Sequence, residues 1–271
     1  MGNLPKQRLI PTRPFKTTGL DYMGPVILKD RTTKNYKPIK AWICIFICFA
    51  TKAIHLEMVS DLSTKSFLSC LKRFFSRRGV SAEIFCDNAT NFVGAKNEIQ
   101  KFLSKNKDTI DSSLNNDGIK CFIPPRAPHF GGLWEAGVRC VKFHLKRVIG
   151  STPLTFEEYS TVLSQIEACL NSRPLSPMSS DPSDLNPLTP AHFLIGESLT
   201  SLPEVDYSYI PEDRLSKFQR TEKRMQLFWS RWSREYVPEL QQRSKWKKNS
   251  SVLLKPDVMG LIKEDGLPSG C

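Results

Sequence analysis

What this sequence lacks narrows its function first. Four histidines, His55, His129, His144 and His192, are scattered along 271 residues, and none of the eight cysteines forms a C-x-x-C pair. A structural zinc site needs clustered ligands at such spacings, so a zinc knuckle is excluded. Cys44 and Cys48 lie in an apolar run and Cys169 in a helical pattern, which predicts buried reduced thiols in an intracellular protein rather than a disulfide framework. Long apolar stretches are missing too. The longest, Ala41 to Ala50, falls well short of the roughly 20 residues a bilayer span requires. The opening residues carry no secretory leader pattern, and no membrane association is expected. Acidic residues are in deficit: 27 Asp and Glu face 39 Lys and Arg, a net charge of +12 with a pI near 9.4. That imbalance favours a polyanionic partner, nucleic acid ahead of membrane.

What is present reads as an ordinary globular protein, 40% hydrophobic and 24% charged. Residues 1–14 are polar and broken by Pro5, Pro11 and Pro14, which reads as a linker. From Phe15, FKTTGLDYMGPVIL, AWICIFICFA and AIHLEMV form three strand-like runs joined by short connections, which predicts an antiparallel meander. Ser63 then caps a helix with the apolar stripe Phe67, Leu71, Phe74 and Phe75, ending at Gly79. SAEIFCD is a short strand ending at Asp87. Beyond it the pattern alternates: a helix near 92–103, a strand near 119–123, a helix beginning near Trp134, and another over 155–170 with Phe156, Tyr159, Leu163 and Ile166 inward. A mixed sheet with flanking helices is an α/β arrangement. Seven prolines between 174 and 211 predict an extended connector, and Leu215, Phe218, Met225, Phe228, Trp232 and Tyr236 then recur at helical spacing. From Arg214 to Lys248, eleven basic residues stand against three glutamates. Basic residues interleaved with aromatics suit nucleic acid, and they suit equally an amphipathic helix packed on its own core.

Three acids stand out for chemistry. Asp21 lies within the first strand, Asp87 at the end of a later one, and Glu135 in the first turn of a helix. Hard oxygen ligands converging from separate elements are what metal-assisted phosphoryl chemistry requires, because two divalent ions about 3.5–4 Å apart bridge the attacking and leaving oxygens. At about 100° per residue, Arg139, Lys142 and Lys146 fall on the side of Glu135, while Trp134, Val138, Val141, Leu145 and Val148 form an apolar stripe. By itself, that pattern also describes an amphipathic helix with a solvated charged face.

The blocks around these acids carry a resemblance. GLDYMGP, CDNATNFVGA and PPRAPHFGGLWEAGVRCVKFHLKRVIG resemble the three blocks of the retroviral-type integrase catalytic core, specifically that of Bel/Pao-type LTR retrotransposons. ATKAIHLEMVSDLSTKSFLSCLKRFFSRRG and CLNSRPLSPMSSDPSDLNPLTPAHFLIG are similar to the intervening and following blocks of that group. The resemblance implies a ribonuclease H-like α/β fold: a mixed five-stranded sheet flanked by helices, with a mostly helical C-terminal extension. It divides the chain into a linker over 1–14 from a missing upstream region, a catalytic core over 15–200, and a truncated basic helical domain over 201–271. Asp21, Asp87 and Glu135 would hold two Mg²⁺ or Mn²⁺ ions per active site. The implied activity is trimming of the 3′ ends of element DNA, followed by attack of the exposed 3′-hydroxyl on target DNA. Arg139 and Lys142, four and seven residues after the glutamate, are the implied DNA contacts, with Lys146, Arg147, Asn91 and Trp134 expected on the same surface. The implied partners are DNA, both element ends and target, and further copies of the chain, with no membrane and no small-molecule substrate. The expected location is the nucleus at integration and the cytoplasm otherwise. This chain departs from the family pattern at Ala89, where relatives usually carry Gly, and at Cys86, where Ser is more usual. A second reading keeps the fold and drops the turnover: an inactive, host-retained nucleic-acid-binding module or a degenerate element fragment.

Overall fold

The computed structural model describes residues 10–30, 35–86, 132–149, 153–179, 181, 183, 184, 186–200 and 203–236, and within 132–149 the side chains of 137–143, 145 and 146. The helix expected near 92–103 and the strand expected near 119–123 lie outside them. The sheet is built on β1 (Thr17–Lys29), which pairs antiparallel with β2 (Pro38–Cys48), and β2 pairs antiparallel with β3 (Ile54–Val59). The other edge of β1 takes two short parallel strands, β4 (Glu83–Phe85) at its start and β5 (Leu154–Thr155) at its end. The order β3-β2-β1-β4, three antiparallel strands and then a parallel one, with helices on both faces, is the mixed five-stranded sheet of a ribonuclease H-like fold.

Each face of the sheet carries its own core. Along β2, Ile43, Ile45 and Ile47 point to one face and Cys44, Phe46 and Cys48 to the other, and all are buried. A strand covered on both sides has no polar face to alternate with, which is why AWICIFIC is a continuous apolar run. Helix α1 (Thr64–Arg78) covers the second face with Phe67, Leu71 and Phe74, and Phe74 stacks on Phe46 at 4.1 Å between ring centroids. Ser63 caps this helix by accepting from Ser66 N, and Gly79 ends it at φ 82°, as the sequence predicts. On the first face sit α2 (Gly132–Ile149), α3 (Phe156–Asn171) and, against both, the last described helix. Thr155 caps α3 in a reciprocal box with Glu158.

Three expectations change. Phe156, expected inward, is 54% exposed, because the capping box sets the first turn of α3 beyond the core. The stretch expected to be a bare connector holds a two-residue strand pair, β6 (Ser176–Pro177) with β7 (Pro187–Leu188), and a short helix α4 (Pro190–Ile195). Pro190 begins that helix, where its missing N–H costs nothing, and His192 Nδ1 accepts from Thr189 N. In α5 (Lys217–Tyr236), Met225, Phe228 and Trp232 are core, but Phe218 is exposed, being one turn too early to reach α3. Of the six described cysteines, all but the half-buried Cys140 are buried. Among the described residues no helix is long and apolar enough to cross a membrane.

β3 is an edge strand, and its outer backbone groups are closed by side chains. Asn171 accepts from Ile54 N and donates to Ile54 O, both at 2.8 Å, and Glu167 accepts from Leu56 N at 2.8 Å. Arg73 donates to Met58 O at 2.9 Å. An edge closed in this way cannot recruit another strand. The closing residues join a charge network around the buried His55, whose ring nitrogens face Glu57 at 3.2 Å and Glu167 at 3.1 Å. Arg73 and Arg77 pair with Glu57, and Arg78 with Glu167. Burial pulls the imidazole pKa down, but hydrogen bonds to Glu167 and Glu57 outweigh it and hold it above the ordinary 6.5. Burial likewise opposes ionisation of Glu57 and Glu167, but the hydrogen bonds from His55 and the guanidinium partners bring both carboxyls below the ordinary 4.5.

The histidine's contribution is therefore full below its unfolded value of 6.5 and lost as pH rises through its raised native value. The carboxylates contribute above 4.5 and lose that as pH falls through their lowered values. The network is strongest between pH 4.5 and 6.5. In melting experiments across pH, a His55→Asn variant is expected to lose the alkaline decline. An unchanged decline in the variant would remove His55 from the account.

Candidate functional site

Asp21 sits in the middle of β1 opposite Ile45, with Leu20 and Tyr22 turned to the α1 face and Asp21 to the α2 face. It is about one-third exposed. Its Oδ1 accepts from Tyr22 N at 2.6 Å, and its Oδ2 accepts from Lys142 Nζ at 2.6 Å. Just past Asp21 the β1/β2 register shifts between Met23 and Val26. Gly24 makes that passage at φ 149°, where a Cβ would lie 2.6 Å from Trp42 Cδ1. The end of β1 is thus bent immediately beyond the acid.

Helix α2 brings Lys142 to this face. Val138, Val141 and Leu145 are buried against the sheet, which fixes the rotation of the helix and leaves Arg139 and Lys146 exposed and Lys142 half-buried at its margin. Gly137 sets the approach: a Cβ there would stand 2.8 Å from Ile47 Cδ1, so the backbone of α2 lies almost against β2. Position 135 falls on the Lys142 side of the helix, two turns nearer its start. The side chains of Glu135, Trp134 and Arg147 lie outside the described set, as do residues Asp87 and Asn91. The described residues before Asp87 end at Cys86, which is buried in the α1-side core, and Phe85, one residue earlier, packs on the α2 side. β4 runs parallel to β1 with Phe85 opposite Gly19, two residues before Asp21.

The Lys142–Asp21 pair is solvent-reachable, and pairs of this kind contribute about 0–1 kcal/mol. It therefore marks a place where positive charge is favoured without binding that charge firmly. Among the described residues, no three His, Cys, Asp or Glu are grouped to hold a metal ion, and of the three expected acids only the Asp21 side chain is described.

The sequence reading missed two polar clusters. One is the His55–Glu57–Glu167 network; its signal was the His-x-Glu spacing in AIHLEMV, which puts two ionisable groups on one face of a strand otherwise apolar. The other is a cavity of about 60 Å³ lined by Lys29, Leu154, Glu158, Lys217, Arg220 and Arg224, whose cations lie nearly 190 positions apart in the chain and carry no local signal.

Comparison with known proteins adds the following. The profile of a family of unknown function, DUF5641, matches residues 216–271, which takes in α5. No curated protein matches the chain. Among solved structures, a chain of the simian T-cell lymphotropic virus intasome in complex with PP2A regulatory subunit B56 gamma is similar at 16% identity and a TM-score of 0.45. That match covers 72% of this chain and 59% of the other, so this chain spans under two thirds of its length.

Because Gly137 seats α2, Gly137→Val is expected to force the helix off β2 and lower stability by about 1–3 kcal/mol, as over-packing does. Chemical denaturation measures this directly, and a variant as stable as the parent would contradict the close approach.

Proposed function

We propose that this chain is the catalytic core of an integrase-type polynucleotidyl transferase of the Bel/Pao retrotransposon kind, acting on DNA with Asp21, Asp87 and Glu135 as its carboxylates. The observation that carries the reading is the Lys142–Asp21 contact, which brings the first acid against the helix that bears Glu135. The ribonuclease H-like sheet and the sequence blocks around all three acids support it. Carboxylates are hard oxygen donors, and an ammonium 2.6 Å from Asp21 Oδ2 occupies a position suited to a cation, so Asp21 suits a ligand to Mg²⁺ or Mn²⁺. A pair of such ions, when bound, supplies positive charge against the charge that builds up on a phosphodiester during in-line displacement.

The chain's own residues do the rest. Asp21, Asp87 and Glu135 would hold the ions. Lys142 would have to give up Asp21 for an ion to be held there, a small loss because solvent-reachable pairs of this kind are worth about 0–1 kcal/mol. The released ammonium then takes a phosphate oxygen of the bound strand, and Arg139 and Lys146, exposed on the same helix, extend that contact along the backbone. Trp134, Arg147 and Asn91 are proposed for the same DNA surface. Hydrolysis of a 3′ end and attack of that end on a second duplex are the same displacement with different nucleophiles, and neither needs a covalent enzyme intermediate. A protein with this activity would act in the nucleus, on chromosomal DNA, as an oligomer holding two element ends.

On a labelled duplex with Mg²⁺ or Mn²⁺, nicking and strand joining are expected to fall by on the order of 100-fold or more in Asp21→Asn and in Glu135→Gln, with duplex binding retained. Binding without cutting in parent and variants alike would favour the inactive nucleic-acid-binding reading. Separately, Lys142→Gln is expected to bind Mn²⁺ more tightly, because the competing ammonium is gone, and to lower the salt slope of duplex binding by about 1. Weaker Mn²⁺ binding in that variant would overturn the exchange of Lys142 for a metal ion.

A further inference from the structure

Away from Asp21, the far end of β1, the start of α3 and the first two turns of α5 enclose the small basic cavity. At about 60 Å³ it is well beyond the roughly 10–15 Å³ that one water needs. Lys217, Arg220 and Arg224 follow one another on one face of α5, grading from exposed through half-buried to buried, and Lys29 faces them from the end of β1. Among the described residues Glu158 is the one acid in the wall, and its Oε2 is already engaged by Thr155 N in the cap of α3.

The floor of the cavity is the informative part. The Arg224 side chain is only 4% exposed, yet among the described residues its guanidinium makes no hydrogen bond, and its nearest carboxylate oxygen, Glu212 Oε2, is 3.6 Å away and half-exposed. A guanidinium paired this loosely keeps donors for a further acceptor, and a planar fork of five donors matches a tetrahedral oxyanion better than water does. The start of the sixteen-residue α3 adds the positive end of its dipole to the same wall. Arg220 is held in place by donating from Nε to Glu212 O at 2.8 Å, which leaves its terminal nitrogens for a ligand.

We infer that this cavity is a phosphate-binding site that takes a backbone phosphodiester of a nucleic acid, at a place separate from the carboxylates. A row of cations running from the surface to a buried arginine is suited to one phosphate entering with its chain left outside. The net charge of +12 supplies the long-range attraction that brings a duplex to such a surface. The site would hold DNA at the junction of core and α5, giving that helix a role in positioning as well as in packing.

The test uses the 271-residue chain in EDTA, so that it reads binding alone and a failed catalytic reading is scored separately. Inorganic phosphate is titrated calorimetrically at constant ionic strength, and a short duplex is titrated by anisotropy over a range of salt. Phosphate is expected to bind the parent and to bind the Lys217→Gln/Arg220→Gln double variant at least tenfold more weakly, with melting in phosphate-free buffer unchanged. The duplex salt slope is expected to fall by about 1–2 in the double variant. The two single variants, each expected to lose part of the phosphate affinity, carry the test if the double variant does not fold. No phosphate binding by the parent, or equal binding by parent and variants, overturns the site. Phosphate affinity lost with duplex binding unchanged assigns the cavity to a small phosphate compound and overturns the nucleic-acid assignment.

Discussion

The contact on which the rest depends is the seating of α2 on the face of β1 and β2. Three buried residues, Val138, Val141 and Leu145, fix how the helix is turned, and Gly137 fixes how near it lies. With both set, the charged margin of the helix has one place to go, and Lys142 meets Asp21 across it. A helix standing one methyl group farther out would carry its cations and Glu135 away from β1. Packing in the apolar core thus determines the electrostatics of the candidate site.

Stability and chemistry are placed on opposite sides of the sheet. The buried His55–Glu57–Glu167 network and its three arginines lie at the β3 edge, where they close backbone groups that would otherwise invite another strand. Asp21 lies two strands away, next to the parallel strands, with a weak and replaceable ion pair as its partner. Strong, fully bonded charges therefore belong to the scaffold, and loosely held ones to the proposed DNA-handling surface.

Much of the scaffold is legible in the sequence because its signals are local. Ser63 and Gly79 bound their helix, the unbroken AWICIFIC run marks a strand buried on both faces, and the three-strand meander follows from short connections. What is not legible depends on distance. Nothing local says that Phe156 and Phe218 miss the core, since each has the right spacing and fails only because it lies in a first turn that the core does not reach. The cavity under Arg224 joins residues from β1, α3 and α5, and a buried arginine on a basic helix is indistinguishable from a solvated one until the helix is packed. At the candidate site, the sequence places Asp21 in a strand and Lys142 on the Glu135 face of a helix, as the structure has them. Their meeting is a tertiary fact that helical spacing alone does not contain.

The proposal that Asp21, Asp87 and Glu135 share divalent ions is tested most directly by supplying Fe²⁺ as the metal, with hydrogen peroxide and ascorbate, and cutting the protein with the hydroxyl radicals formed as peroxide oxidises the bound iron. The expected result is backbone cleavage confined to the segments around residues 21, 87 and 135, suppressed by excess Mg²⁺. Cleavage that spares any of the three segments, or that Mg²⁺ does not suppress, would contradict a metal site built from these carboxylates.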